Sequence, residues 1–247
     1  MPQPIPVLSA FPTPCTGFAP EHMPPSQAAL PLQGITLLLV EDSRFSSDAM
    51  RLICQRAGAR LRRADTLQSA RAHLRVYRPD AVIIDLGLPD GRGEILIHEL
   101  LLSARRPSVI LGTSGSASGK IAALAAGADG YIDKPISSFS GFCAFLREKL
   151  ALAAPPETAT VDSPISPDPL ALQDDLAQAA AALQNHPNAA QRRYLGGFLL
   201  GIARLAQDRP LADASLQLSD PAADISVARL IHSRIAHGVQ AFVKARE

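Results

Sequence analysis

Cysteine is scarce in this 247-residue chain. Cys15, Cys54 and Cys143 are far apart and odd in number, which argues against a disulfide framework and suits a reducing cytosol. Their spacing matches no zinc motif. Long apolar runs are missing too, and none approaches the length of a membrane span, so no membrane partner is expected. Charge of either sign is not in excess: 24 Lys and Arg face 23 Asp and Glu, a formal net charge of +1. The balance gives no argument for a nucleic-acid partner. Residues 1–31 contain no Lys or Arg and so lack the basic start of a secretory signal. Their many prolines predict a disordered leader.

What the chain does have is a series of apolar runs that end in polar chemistry. Ile35-Thr36-Leu37-Leu38-Leu39-Val40 stops at Glu41 and Asp42, and Ala81-Val82-Ile83-Ile84 stops at Asp85. A third run ends at Thr113, and a fourth leads to Asp133-Lys134-Pro135. Strands are predicted over 35–40, 59–63, 81–84, 109–112 and 131–132. Helical periodicity predicts helices over 43–57, stopped by Gly58, and over 66–76, 93–103, 117–126 and 140–152. Apolar strands alternating with helices indicate a parallel sheet covered on both faces. Ligands of such folds bind beyond the carboxyl ends of the strands, where all these polar residues fall.

Three carboxylates, a hydroxyl and a lysine at one sheet edge suit a divalent cation and a phosphoryl group. Magnesium prefers six oxygen ligands and keeps several waters. Glu41, Asp42 and Asp85, with the backbone carbonyl of Gly87, are the expected protein ligands of Mg2+. Three crowded carboxylates are costly without a cation. With one, Asp85 is held as a nucleophile able to attack phosphorus in line. Lys134 is placed to pair with the phosphoryl oxygens, and the Thr113 hydroxyl to donate to one of them. Ser114 adjoins Thr113 and is the alternative hydroxyl. Each residue also has a plainer reading: an Asp after a strand is often a helix cap or turn former, and a strand-end threonine often satisfies backbone.

Taken together, the motifs LLLVEDS at 37–43, VIIDLGLPDGRG at 82–93, ILGTSG at 110–115 and GADGYIDKP at 127–135 resemble the receiver domain of bacterial two-component response regulators, related to the chemotaxis Y proteins. The resemblance covers 34–152, about half the chain. It implies a doubly wound, flavodoxin-like sheet of five parallel strands. It also implies that Asp85 takes phosphate from a histidine kinase or histidine phosphotransfer protein. Glu41, Asp42 and Asp85 would bind Mg2+, Thr113 and Lys134 would respond, and Tyr131 would rearrange as a switch. Tyr131 is equally readable as a packed strand-end aromatic. No separate substrate-converting enzyme is implied, only phosphoryl uptake and loss at Asp85, and the location expected is cytoplasmic.

The remaining organisation is a receiver over 32–152, a proline-rich linker over 153–169 and a small all-α domain over 170–247. Three amphipathic stripes run through Leu172, Leu176, Ala179 and Leu183; through Tyr194, Leu195, Phe198, Leu199, Ile202 and Leu205; and through Val227, Ile231, Ile235, Val239 and Phe242. Pro187, Pro210 and Pro221 are placed in loops. Three such helices want a partner to close a bundle. Gly196, Gly197 and Gly201 permit close helix approach, so a homodimer or protein-interaction module is expected. A DNA-binding output is the alternative, but 168–247 holds eight acidic and eight basic side chains and no basic stripe. His186, His232 and His237 lack the surroundings of a phosphotransfer histidine.

Overall fold

The computed structural model describes residues 30–153 and 165–237. Most of the leader with Cys15, part of the linker, and Val239 and Phe242 of the third stripe lie outside the described residues. The first unit runs β1 (Thr36–Val40), α1 (Arg44–Ala57), β2 (Arg60–Ala64), α2 (Leu67–Val76), β3 (Ala81–Asp85), β4 (Gly87–Leu88), β5 (Gly91–Arg92), α3 (Gly93–Leu101), β6 (Val109–Ser114), α4 (Gly119–Ala125), β7 (Gly130–Asp133) and α5 (Phe139–Lys149). Five strands form one parallel sheet in the order β2-β1-β3-β6-β7. The short β4–β5 hairpin follows Asp85 directly.

Successive side chains of a strand point to opposite faces, and both faces here are dry. Leu37, Leu39, Ala81, Ile83, Val109 and Leu111 pack under α1 and α5. Leu38, Val40, Val82, Ile84 and Ile110 pack under α2, α3 and α4. β2, with the sequence RLRRA, is the charged outer strand, paired on one side only. Ser43 caps α1, its hydroxyl accepting from the Ser46 amide at 2.9 Å, and Gly58 at φ 79° ends that helix in the left-handed region. β6 runs two residues beyond the expected strand. Thr113 pairs with Asp85 and Ile132, and Ser114 pairs with Asp133.

The second unit contains α6 (Pro169–Gln184), α7 (Ala189–Leu205), α8 (Arg209–Leu216) and α9 (Asp224–His237), with short 3₁₀ turns at Gln217–Ser219 and Pro221–Ala223. The expectation of three helices is corrected here to four α-helices among the described residues. Pro210 opens α8 rather than a loop, because proline is tolerated in the first turn, where the missing N–H has no helical partner anyway. The fourth helix closes the core within the chain. Leu172, Leu176, Leu195, Leu199, Leu211 and Val227 meet there, and Phe45 of α1 joins them from the first unit. No described helix is long and apolar enough to cross a membrane.

Candidate functional site

β1 and β3 are neighbours, and the chain leaves them toward opposite sides of the sheet. That is the switch point where such sheets open a crevice. Glu41 and Asp42 leave β1 there, and Asp85 is the last residue of β3. One oxygen from each of the three lies within 4.8 Å of the others. Lys134 enters just after β7 and places Nζ 2.5 Å from Glu41 Oε2 and 2.6 Å from Asp85 Oδ2. The peptide bond from Lys134 to Pro135 is cis.

Three carboxylates thus face one ammonium. Burial pushes the Glu41 carboxyl up to about 8; Lys134 opposes the shift, and the Asp85 and Asp42 charges add to it. Burial raises Asp42 to about 6, against a hydrogen bond from the Tyr194 hydroxyl. Burial alone would lower the Lys134 ammonium, but the Asp85 and Glu41 charges reverse this and hold it above the usual lysine range. One ammonium does not neutralise three carboxylates. Asp42 Oδ1 is buried and has no hydrogen-bond partner. A buried, unpartnered carboxylate oxygen beside two further carboxylates is a donor set that fits a hard divalent cation.

Gly87 borders the same small cavity as Glu41 and Asp85, and its amide donates to Asp85 Oδ1 at 3.2 Å. No atom lies within 4 Å of the place a Cβ on Gly87 would take. The Thr113 side chain is buried and its hydroxyl donates to the Ile132 carbonyl at 2.8 Å, the strand-end role. Ser114 borders the cavity beside Asp85, and its Oγ accepts from the Ser116 amide at 3.1 Å. The Tyr131 hydroxyl donates to the Ser114 carbonyl at 2.9 Å, tying β7 to the last residue of β6. His232 hydrogen-bonds through its ring to the Ala228 carbonyl at 2.7 Å, and His186 lies in the turn before α7 with φ 49°.

Several residues at this site were not singled out by the sequence reading. Gly93 starts α3 so close to Asp85 that an added Cβ would lie 2.1 Å from the Asp85 carbonyl oxygen. Tyr194, read as part of an apolar stripe, hydrogen-bonds Asp42 Oδ2. Asp175 of α6 is 1 % exposed and accepts from Ser43 Oγ at 2.7 Å and from the Arg44 and Phe45 amides at 3.0 Å each. Burial raises its pKa, and those hydrogen bonds oppose the shift. Arg204 of α7 donates to the Gly115 carbonyl. Glycines were the only signal in the sequence. Gly197 and Gly201 face Gly115, while Gly196 packs against the Ser215 carbonyl of α8.

Residues 37–140 match the response regulator receiver domain family, and this part of the chain is a receiver domain. The chain is 35% identical over 150 residues to the KDP operon transcriptional regulatory protein KdpE of Escherichia coli K12, covering 61% of this chain and 63% of KdpE. It is 32% identical over 106 residues to the probable transcriptional regulatory protein TcrX of Mycobacterium tuberculosis, covering 42% of this chain and 45% of TcrX. The chain therefore spans less than two thirds of the length of these curated relatives. A solved putative response regulator from Chloroflexus aurantiacus is 30% identical, covers 47% of this chain and 98% of its own, and has a TM-score of 0.45. The receiver domain of sensor histidine kinase PA1611 from Pseudomonas aeruginosa, solved with magnesium in its active site cleft, is 22% identical, covers 48% and 98%, and has a TM-score of 0.45.

Proposed function

We propose that the chain is a phosphorylation-dependent response regulator that accepts a phosphoryl group on Asp85 from a histidine kinase or phosphotransfer protein. The observation that supports this most directly is the Lys134 ammonium held 2.6 Å from Asp85 and 2.5 Å from Glu41, beside the unpartnered oxygen of Asp42. In this reading an Asp85 oxygen attacks phosphorus. A P–O bond forms as the P–N bond of a phosphohistidine breaks, and the electron pair leaves on the imidazole nitrogen. Lys134 pairs with the phosphoryl oxygens, and the Thr113 or Ser114 hydroxyl donates to one of them. Glu41, Asp42, Asp85 and the Gly87 carbonyl would hold Mg2+, which supplies positive charge against the developing phosphoryl charge when bound. Open space beside Gly87 leaves room for water to return the group to phosphate. The chemistry is self-directed, with no separate substrate converted, and a cytoplasmic location accords with it.

The output assigned to the helical unit is protein contact, within the chain or between copies. Two of its arginines are held in ion pairs within the unit: Arg192 with Asp224 at 3.0 Å and Arg234 with Asp208 at 2.7 Å. The second reading, a DNA-binding transcriptional regulator, is favoured by the names KdpE and TcrX carry. Salt-sensitive binding to duplex DNA would decide for it. The first test is intact mass together with light scattering, after incubation with Mg2+ and acetyl phosphate. A phosphoryl adduct is expected on the wild type and not on Asp85→Ala. No adduct under conditions that load a known receiver rejects the proposal.

A further inference from the structure

The side of the receiver from which a phosphoryl donor must reach Asp85 is covered by the chain's own second half. α7 presents Gly197, Phe198 and Gly201 to the cavity that Asp85, Glu41 and Lys134 border. That cavity has a volume of about 30 Å³. A phosphoryl group brings three oxygens on phosphorus, and its donor brings a leaving group as well. A larger cavity of about 460 Å³, lined by Glu41, Thr113 and Lys134, adjoins the small one, and α7 lines it as well through Gly201, Arg204 and Leu205, so a donor protein meets α7 before it reaches Asp85.

Among the contacts between the two units, four hold the cover close to the site. The Tyr194 hydroxyl donates to Asp42. Asp175 takes the hydroxyl of Ser43 and the first two amides of α1, acting as a second cap supplied from α6. Arg204 donates to the Gly115 carbonyl, and Gly115 lies against the backbone of Gly201 closely enough that a Cβ there would sit 3.2 Å from it. Phe45 leaves the receiver's own core and enters the helical one. The rest of that core comes from α6 to α9 and their connecting turns, so the helical unit can leave as one body with its packing kept.

We propose that the acceptor face of the receiver is an intramolecular docking surface for α6 and α7, and that docking and phosphoryl transfer to Asp85 exclude one another. This rests on Asp85 being the acceptor. Tyr194 is the latch, because it is the residue of the cover that touches the acid cluster itself. A phosphoryl group on Asp85 adds charge and volume under Gly197 and Gly201 and favours the open arrangement. Opening uncovers Asp42 and frees the amino end of α1, the two surfaces a partner would meet.

The test uses the full chain as wild type, Tyr194→Phe and Gly115→Val, with Mg2+ and acetyl phosphate. Gly115→Val is a wedge whose new Cβ has Gly201 and Gly197 of α7 as its nearest neighbours. Adduct formation is followed by intact mass, and amide hydrogen exchange is read at 44–46. The latch is a hydrogen bond to a charged group, so Tyr194→Phe is expected to take up phosphate roughly tenfold faster than wild type. Gly115→Val is expected to be at least as fast, and both variants should exchange faster at 44–46. Equal uptake rates in all three chains overturn the docking inference and leave the acceptor reading standing. So does an adduct on wild type with 44–46 still protected. Variants that exchange freely at 44–46 yet take up no phosphate overturn the acceptor reading, and this inference with it.

Discussion

Replacing Asp175 by alanine isolates what joins the two units. Asp175 accepts three hydrogen bonds at 2.7 to 3.0 Å from Ser43, Arg44 and Phe45, some 130 residues away in sequence. The Arg44 and Phe45 amides belong to the first turn of α1 and have no partner inside the helix. A hydrogen bond to a charged acceptor contributes about 1.5–3 kcal/mol, and removing the acceptor leaves buried donors without a partner. The three bonds share one carboxylate whose own burial is costly, as its raised pKa records. The net loss is therefore about 3 kcal/mol rather than the sum. For a chain of this size that lowers the melting temperature by roughly 6–12 °C. The neighbouring Asp174 is the control: its ion pair with Arg44 at 2.8 Å has both side chains more than half exposed, 59% and 64%. Asp174→Ala is expected to cost less than about 0.5 kcal/mol. Thermal and urea unfolding followed by circular dichroism measures both. Equal melting temperatures for the two variants, or a loss below about 1 kcal/mol for Asp175→Ala, would refute the assignment of Asp175 as a second cap on α1.

Gly93→Ala places a carbon 2.1 Å from the Asp85 carbonyl oxygen, so α3 or the end of β3 must shift; destabilisation by about 3 kcal/mol or more is expected in urea unfolding, and a neutral variant would contradict the packing. Leu199→Ala empties the middle of the helical core, where Leu199 is 0% exposed, and is expected to cost about 2–5 kcal/mol by the same measurement. Burial, with a further push from Cys143, raises the Cys54 thiol to about 12 from an ordinary 9.0. The unfolded thiol ionises first. The contribution of Cys54 to stability is therefore complete below about pH 9 and is lost as pH rises toward 12, by up to about 1.4 kcal/mol per pH unit. At pH 8 a thiol reagent should leave Cys54 unmodified until denaturant is added, and labelling of the native chain would reject this.

The alternation of apolar strands and helices, and the polar residues that end each strand, were legible in the sequence because they are local. A strand buried on both faces must be apolar throughout, and the first polar residue marks where it leaves the core. Parallel strands then carry Glu41, Asp42, Asp85 and Lys134 to one edge without further instruction. The fourth helix was hidden by Pro210, which reads as a break unless the helix boundary is known. The three glycines of α7 signalled close approach but not to what. The expectation pointed to another helix, and the structure divides them between α8 and the receiver loop at Gly115.

The sequence put Thr113 first as the responding hydroxyl and left Ser114 as the alternative. The register of β6 against β3 and β7 gives Thr113 a backbone acceptor and a place on the larger cavity with Glu41 and Lys134, and sets Ser114 on the smaller one with Asp85. Composition and periodicity thus determined a doubly covered parallel sheet with an acid cluster and a lysine at its edge, followed by a helical unit. Only the tertiary structure decided that the helical unit closes its own core with Phe45 and lies across that edge, with Tyr194 on Asp42 and Asp175 on α1. The physical reason is that hydrogen bonds between groups more than a hundred residues apart leave no local pattern. Each such residue looks, in its own helix, like any other aromatic or acid.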